Sequence, residues 1–146
     1  MSYSHFNLQN HAFESFAPLL RETGAKQLLV ASPLSMGLLT DNPPEWHPAG
    51  AEMIKFKDSQ LLPMCKSRPG GLPNVALGYV LAQNSGAMAG VPLVAGFSRR
   101  SEVHEAVAVW REVENGSSNT RKDLEAKIVE TIRKAGWENH SWKSPQ

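Results

Sequence analysis

Hydrophobic positions come in short runs separated by longer stretches with helical spacing. Met1 to about Leu8 alternates imperfectly through Tyr3, His5 or Phe6, and Leu8, which predicts a strand. Asn10 stands where it can cap a helix whose apolar stripe is Phe13, Phe16, Ala17 and Leu20; Pro18 interrupts that helix and Gly24 closes it. Gln27-Leu28-Leu29-Val30-Ala31 is an apolar run of the kind that forms a strand covered on both faces. Ser32 to about Ala49 holds Pro33, Gly37, Pro43, Pro44 and Pro48 and is a long loop; such loops inside a domain usually carry function or disorder.

Ala51 to Lys66 is a further helical stretch, broken by Ser67-Arg68-Pro69-Gly70-Gly71. Asn74 is placed to cap an apolar, buried helix from Val75 to Ala82. Val91-Pro92-Leu93-Val94-Ala95 predicts a third strand, with Pro92 suited to its start. Ser101 then caps a helix with Val103, Ala106, Val107 and Trp110 on its apolar face. Gly116-Ser117-Ser118-Asn119 reads as a turn, and Thr120-x-x-Asp123 as a capping box. The last helix carries Leu124, Ile128, Thr131, Ile132 and Ala135 and ends at Gly136; residues 137–146 read as a coil tail. The order is that of βα units, an α/β protein with three parallel strands. Three such strands leave two open edges, so the pattern reads as part of a larger sheet or barrel.

Composition narrows the chemistry. The 146 residues suit one domain, and a net charge of +1 argues against nucleic acid or an anionic membrane as partner. Apolar runs fall short of the about 18 residues that span a bilayer, and the start resembles no secretory signal. Cys65 is the single cysteine, which removes internal disulfides and CxxC motifs and fits a reducing, cytoplasmic setting. The five histidines lack metal-ligand spacing, so no metal site is expected.

Ala31-Ser32-Pro33-Leu34-Ser35-Met36-Gly37-Leu38-Leu39-Thr40 resembles the "ysPLa.G.Lt" segment of aldo/keto reductases. Asn42-Pro43-Pro44-Glu45-Trp46-His47-Pro48-Ala49 resembles the matching stretch of L-galactose dehydrogenases and fungal D-arabinose dehydrogenases. Ser2–Asn7, Val75–Leu81 and Gly96–Glu105 resemble the family's preceding strand, its buried helix and its "GmSs.eqVeE" turn. The resemblance covers roughly residues 2 to 115. It implies a partial (β/α)8 TIM barrel, strands six to eight with their helices and a C-terminal helix, over residues 1–136.

The resemblance also implies NAD(P)-dependent oxidation of a small sugar. The catalytic tyrosine, lysine, aspartate and histidine of such enzymes lie on the second to fourth strands. Neither Tyr3 nor Tyr79 matches that tyrosine, and no residue here matches the set, so the chain is expected to be truncated and by itself inactive. It implies a cofactor cradle of Ser32, Pro33, Leu34 and Gly37 together with Gly96, Phe97, Ser98, Arg99 and Arg100, with Glu105 accepting from the adenine amino group. Ala31 replaces the aromatic ring that many relatives stack on the nicotinamide. Glu102 stands where NADP-using relatives carry arginine, which tips the expectation toward NAD, although Arg99 and Arg100 supply compensating charge. Trp46 and His47 lie on the loop that would roof the sugar.

From the residues alone, Arg99-Arg100 is a solvated pair, Glu105 a surface charge, and His47 a loop hydrogen-bonder. His104 and Trp137-x-x-His140-x-Trp142 read as surface or packing residues. A non-catalytic module, binding nucleotide or pairing with another chain through the open sheet edges, is the alternative reading.

Overall fold

The structure, a computed structural model, describes residues 1–116 and 118–142. Ser117 in the expected turn and residues 143–146 of the expected tail lie outside the described residues. Three strands, β1 (Ser2–Tyr3), β2 (Val30–Ala31) and β3 (Leu93–Val94), form one parallel sheet in the order β1-β2-β3. Ser2 pairs with Val30 and Val30 with Leu93; Tyr3 pairs with Ala31 and Ala31 with Val94. The expected α/β class and strand order are present, with strands much shorter than the sequence pattern implied.

The first strand shows why. Ser4 adopts a left-handed conformation (φ 57°), which ends β1 well short of Leu8. The Asn7 side chain then accepts the amides of Gln9 and Asn10 at 2.9 and 3.1 Å, and these local bonds replace a sheet ladder. Phe6 and Leu8 are buried as expected, but in two different clusters rather than on one strand face.

Helix α1 (Phe13–Glu22) buries Phe13 and Ala17 and contains Pro18. Asn10 does not cap it directly. Its Oδ1 accepts Ala12 N at 3.0 Å, one turn ahead of the helix. Gly24 and Gly136 both take positive φ just past a helix end, as the sequence implied, and each closes its helix with paired amide bonds to the last turn.

Residues 51–65 form a continuous helical run: α2 (Ala51–Phe56), a π-turn (Lys57–Leu61) and α3 (Leu62–Cys65). Pro63 has no N–H for the carbonyl of Ser59, and the wider turn absorbs that break. Helix α4 (Gly71–Leu81) is buried nearly all round, as its apolar sequence required. It begins at Gly71, so Asn74 lies inside the helix and is not its cap.

Helix α5 (Arg100–Glu114) corrects two expectations. Ser101 is not its cap; Glu102 accepts the amides of Ser98 and Arg99 at 2.7 and 3.2 Å. The stripe Val103, Val107 and Trp110 faces outward, 43%, 39% and 49% exposed, while Val109 is the buried residue. α5 packs on α4 through the other side of the helix. Helix α6 (Asn119–Lys134) is capped by Ser118, whose Oγ accepts Arg121 N at 3.3 Å, and not by Thr120. Its buried face is Arg121, Glu125, Ile128 and Ile132.

One core cluster joins Leu8, Leu61, Cys65, Leu72, Val75 and Ile128; another joins Phe6, Phe13, Val30, Val80 and Met88. In the register shared by Tyr3, Ala31 and Val94, the central Ala31 is buried, while Tyr3 and Val94 on the outer strands are 52% and 45% exposed.

Candidate functional site

Parallel strands all send their following loops to the same end of a sheet, and β2 and β3 are neighbours. The loop after Ala31 and the turn after Val94 therefore emerge side by side. A bond from Ser32 N to Val94 O at 3.2 Å joins them at the root.

The loop after β2 is tightly wound. Ser32, Ser35, Met36 and Gly37 all have positive φ, an unusual density for residues that carry a Cβ. Such backbone persists because its donors are satisfied. Ser32 Oγ accepts Met36 N at 2.7 Å, and Ser35 N, Gly37 N and Leu38 N bond to Ser32 O, Leu34 O and Ser35 O. Ser32 uses its Oγ as an acceptor in this bond, which does not engage its own hydroxyl hydrogen. Pro33 is buried and Leu34 half-buried. A Cβ on Gly37 would lie 2.8 Å from Pro44 Cδ, so only glycine lets the loop fold back there.

His47 fastens the far end of this loop. Its Nδ1 accepts Ala49 N at 3.0 Å, which leaves Nε2–H to donate to Ser35 O at 2.9 Å. That tautomer is neutral, and burial pushes the imidazole's pKa below its usual value. The bonding is that of a loop fastener. Trp46 beside it is 61% exposed, its ring roughly parallel to that of His47.

Gly96, Phe97, Ser98, Arg99 and Arg100 are all exposed at the start of α5. Amides at a helix start attract anions. Here the Glu102 carboxylate already takes those of Ser98 and Arg99. Arg100 donates to His104 Nε2 at 3.3 Å, and Glu105 lines an open groove with Asp41, Lys66, Arg68 and Gly70. The sites expected on two loops are thus adjacent through their strands, while Glu105 faces a groove built partly from the α3–α4 turn. Among the described residues, no three His, Cys, Asp or Glu side chains gather as a metal site, and no helix is long and apolar enough to cross a membrane.

Sequence reasoning missed two buried charges that hold this scaffold. Lys57 is 1% exposed, and its ammonium donates to Thr40 O at 2.7 Å and meets the Asp58 carboxylate at 2.7 Å. It thereby ties the middle of the loop to the helix behind it. Arg121 is fully buried and donates to Glu112, Glu125 and Asn74. Arg68 shares Glu112 and Asn74, so one network joins α4, α5 and α6. The hydrogen bond from Arg121, with that from Arg68, holds the Glu112 carboxyl down at about 2 despite the opposing effect of burial. Both residues carried a signal: Lys57 falls on the spacing Met53, Lys57, Leu61, Cys65, and Arg121 on Arg121, Glu125, Ile128, Ile132. A charge on an apolar face is buried only when paired.

The chain is 34% identical over 140 residues to the L-galactose dehydrogenase of Arabidopsis thaliana, a match taking in 94% of this chain. The chain resembles an aldo/keto reductase along nearly its whole length. It spans 42% of that relative's length. The match runs beyond the 2–115 stretch on which the motifs rest and into α6. No family model matches the chain.

Proposed function

We propose that these residues are the C-terminal part of an NAD(P)-dependent aldo/keto reductase barrel, with β1, β2 and β3 as its sixth, seventh and eighth strands. The whole protein oxidises C1 of a small sugar such as L-galactose or D-arabinose to the lactone. A nicotinamide held in this cradle would supply the hydride acceptor for C1, and the hydroxyl proton would pass to a base carried elsewhere on the barrel. The observation that carries this reading is the side-by-side emergence of the loop after β2 and the turn after β3 from adjacent parallel strands, the end at which barrel enzymes bind their ligands.

In this reading, Ser32, Pro33, Leu34 and Gly37 line the nicotinamide and pyrophosphate side. Gly96, Phe97, Ser98, Arg99 and Arg100 line the turn toward the adenosine, and Glu105 accepts from the adenine amino group. The residues fit a dinucleotide better than its 2′-phosphorylated form. Glu102 holds the two amides a phosphate would use and places a carboxylate there, so NAD is favoured over NADP. The exposed Trp46 ring offers a flat face to a sugar, and His47 fixes the loop that presents it.

A second reading has an observation of its own. The outward stripe Val103, Val107 and Trp110 on α5 is apolar surface suited to another polypeptide segment, and Tyr3 and Val94 are exposed on the two outer strands. That surface fits a non-catalytic module that pairs with a partner, and it equally fits the contact with the other strands of a barrel.

The test is a titration of the 146-residue chain with NADH and NADPH by tryptophan fluorescence, with L-galactose and D-arabinose turnover assayed alongside. Saturable NADH binding without turnover supports the cofactor half-site. Absence of binding to either nucleotide shows that the cradle does not form in this chain alone, leaving a fragment or a partner-dependent module, and turnover overturns the assignment of the catalytic set to other strands.

A further inference from the structure

Residues 137–142, after α6, have no helix or strand, yet hydrogen bonds hold them to the loop after β1. Gln9, 1% exposed, donates through Nε2 to Trp137 O at 2.9 Å and to His140 O at 2.7 Å. Two carbonyl partners fix that atom as the amide nitrogen. Asn139 N returns a bond to Gln9 O at 2.9 Å, and His11 N donates to Asn139 Oδ1 at 2.7 Å. Four hydrogen bonds thus fasten residues 137–140 to the loop after β1.

Beyond this clamp the segment reaches the loop after β2. The Trp142 ring meets His47 edge-on, with centroids 4.9 Å apart at 69°. Trp137 and Trp142 both pack on the cluster of Leu38, Ala49 and Met53. His47 in turn donates to Ser35 O and accepts Ala49 N, the bonds that shape the wound loop. A continuous set of contacts therefore runs from Gln9 through 137–142 to His47 and Ser35.

We propose that residues 137–142 are a strap, clamped by Gln9, that holds the loop after β2 in its wound form through Trp142 and His47. Gln9 is a positioning residue: its side-chain hydrogen bonds go to the strap alone, although it also lines a small cavity with Leu38 and Leu39 of the loop, which is why the Trp142 pair carries the decision. The strap is a property of the fold, and only its value to a ligand rests on the function proposed above.

The experiment is hydrogen exchange on the full chain and three variants, read at the amides of Ala49, Asn139 and, as control, Val80 in α4. In Gln9→Met, which keeps volume and removes the donors, Ala49 and Asn139 both exchange about tenfold faster while Val80 is unchanged. In Trp142→Ala, Ala49 alone speeds up, because the clamp stays closed. Trp142→Phe restores an edge contact and returns Ala49 toward the parent rate. Unchanged Ala49 exchange in Trp142→Ala overturns the strap, as does equal acceleration in Trp142→Ala and Trp142→Phe. If Gln9→Met fails to fold, the Trp142 pair decides alone. NADH titration of the same variants keeps the two ideas apart: a chain that binds no nucleotide in any form still reports the strap by exchange.

Discussion

Single residues here are governed by what surrounds them more than by their type. Cys65 is fully enclosed among Leu61, Leu72 and Val75, and burial pushes its thiol up to about 11. Only the thiolate reacts, so a disulfide reagent should label Cys65 slowly in the native chain and at once in denaturant; fast native labelling would contradict this burial. Gly78 is set by close approach, since a Cβ there would lie 1.9 Å from Arg121 Nη1. The guanidinium cannot retreat without leaving its partners. Gly78→Ala should lower stability by about 1–3 kcal/mol, readable as a fall in the urea midpoint. While the full enclosure of Cys65 was decided by packing, its lack of an internal disulfide partner was legible from the sequence, because it is the single cysteine. The role of Gly78 was not, because its neighbour is 43 positions away and only packing brings them together.

At the scale of elements, the Arg121 network joins three helices and makes their docking depend on pH. Glu112 is held at about 2 against its usual 4.5, so its folded value is the depressed one. The stability it contributes is complete above the unfolded value and is lost as pH falls through the window from about 4.5 to 2. Burial raises Glu125, which acts in the opposite sense, so the informative quantity is a difference. Denaturation midpoints of the parent and Glu112→Gln should converge as pH drops through that window; a constant gap would remove Glu112 from the account. The start of α5 gives a functional counterpart. Glu102→Gln keeps a weaker amide cap but removes the carboxylate from the turn. If the turn faces a nucleotide phosphate, NADPH should gain affinity relative to NADH, measured as a ratio of dissociation constants. Helix positions were readable from spacing, but cap identities were not. Asn74, Ser101 and Thr120 are all good cap types, but Asn74 lies inside its helix with its side chain held by Arg121, and the neighbouring Glu102 and Ser118 take the cap amides that Ser101 and Thr120 could have taken.

For the whole molecule, the main fact is a helix-rich α/β chain whose small parallel sheet leaves Tyr3 and Val94, on its two outer strands, exposed. The outward face of α5 makes this concrete, since Val103, Val107 and Trp110 give apolar area to solvent. If that face seeks a partner, the chain should self-associate at high concentration, and Val107→Lys with Trp110→Lys should return it to monomer in sedimentation; equal sedimentation of both would leave the stripe without that role. The order of strands and helices, the loop of 32–49, the burial of α4 and the resemblance to a reductase all lay in the sequence, because periodicity, turn residues and local motifs are properties of neighbours along the chain. Strand length, the outward turn of α5's apolar stripe, the buried pairings of Lys57 and Arg121, and the strap from Gln9 to His47 were decided only in the tertiary structure. Each depends on residues far apart in sequence meeting in space, and on polar groups finding partners that no local pattern names.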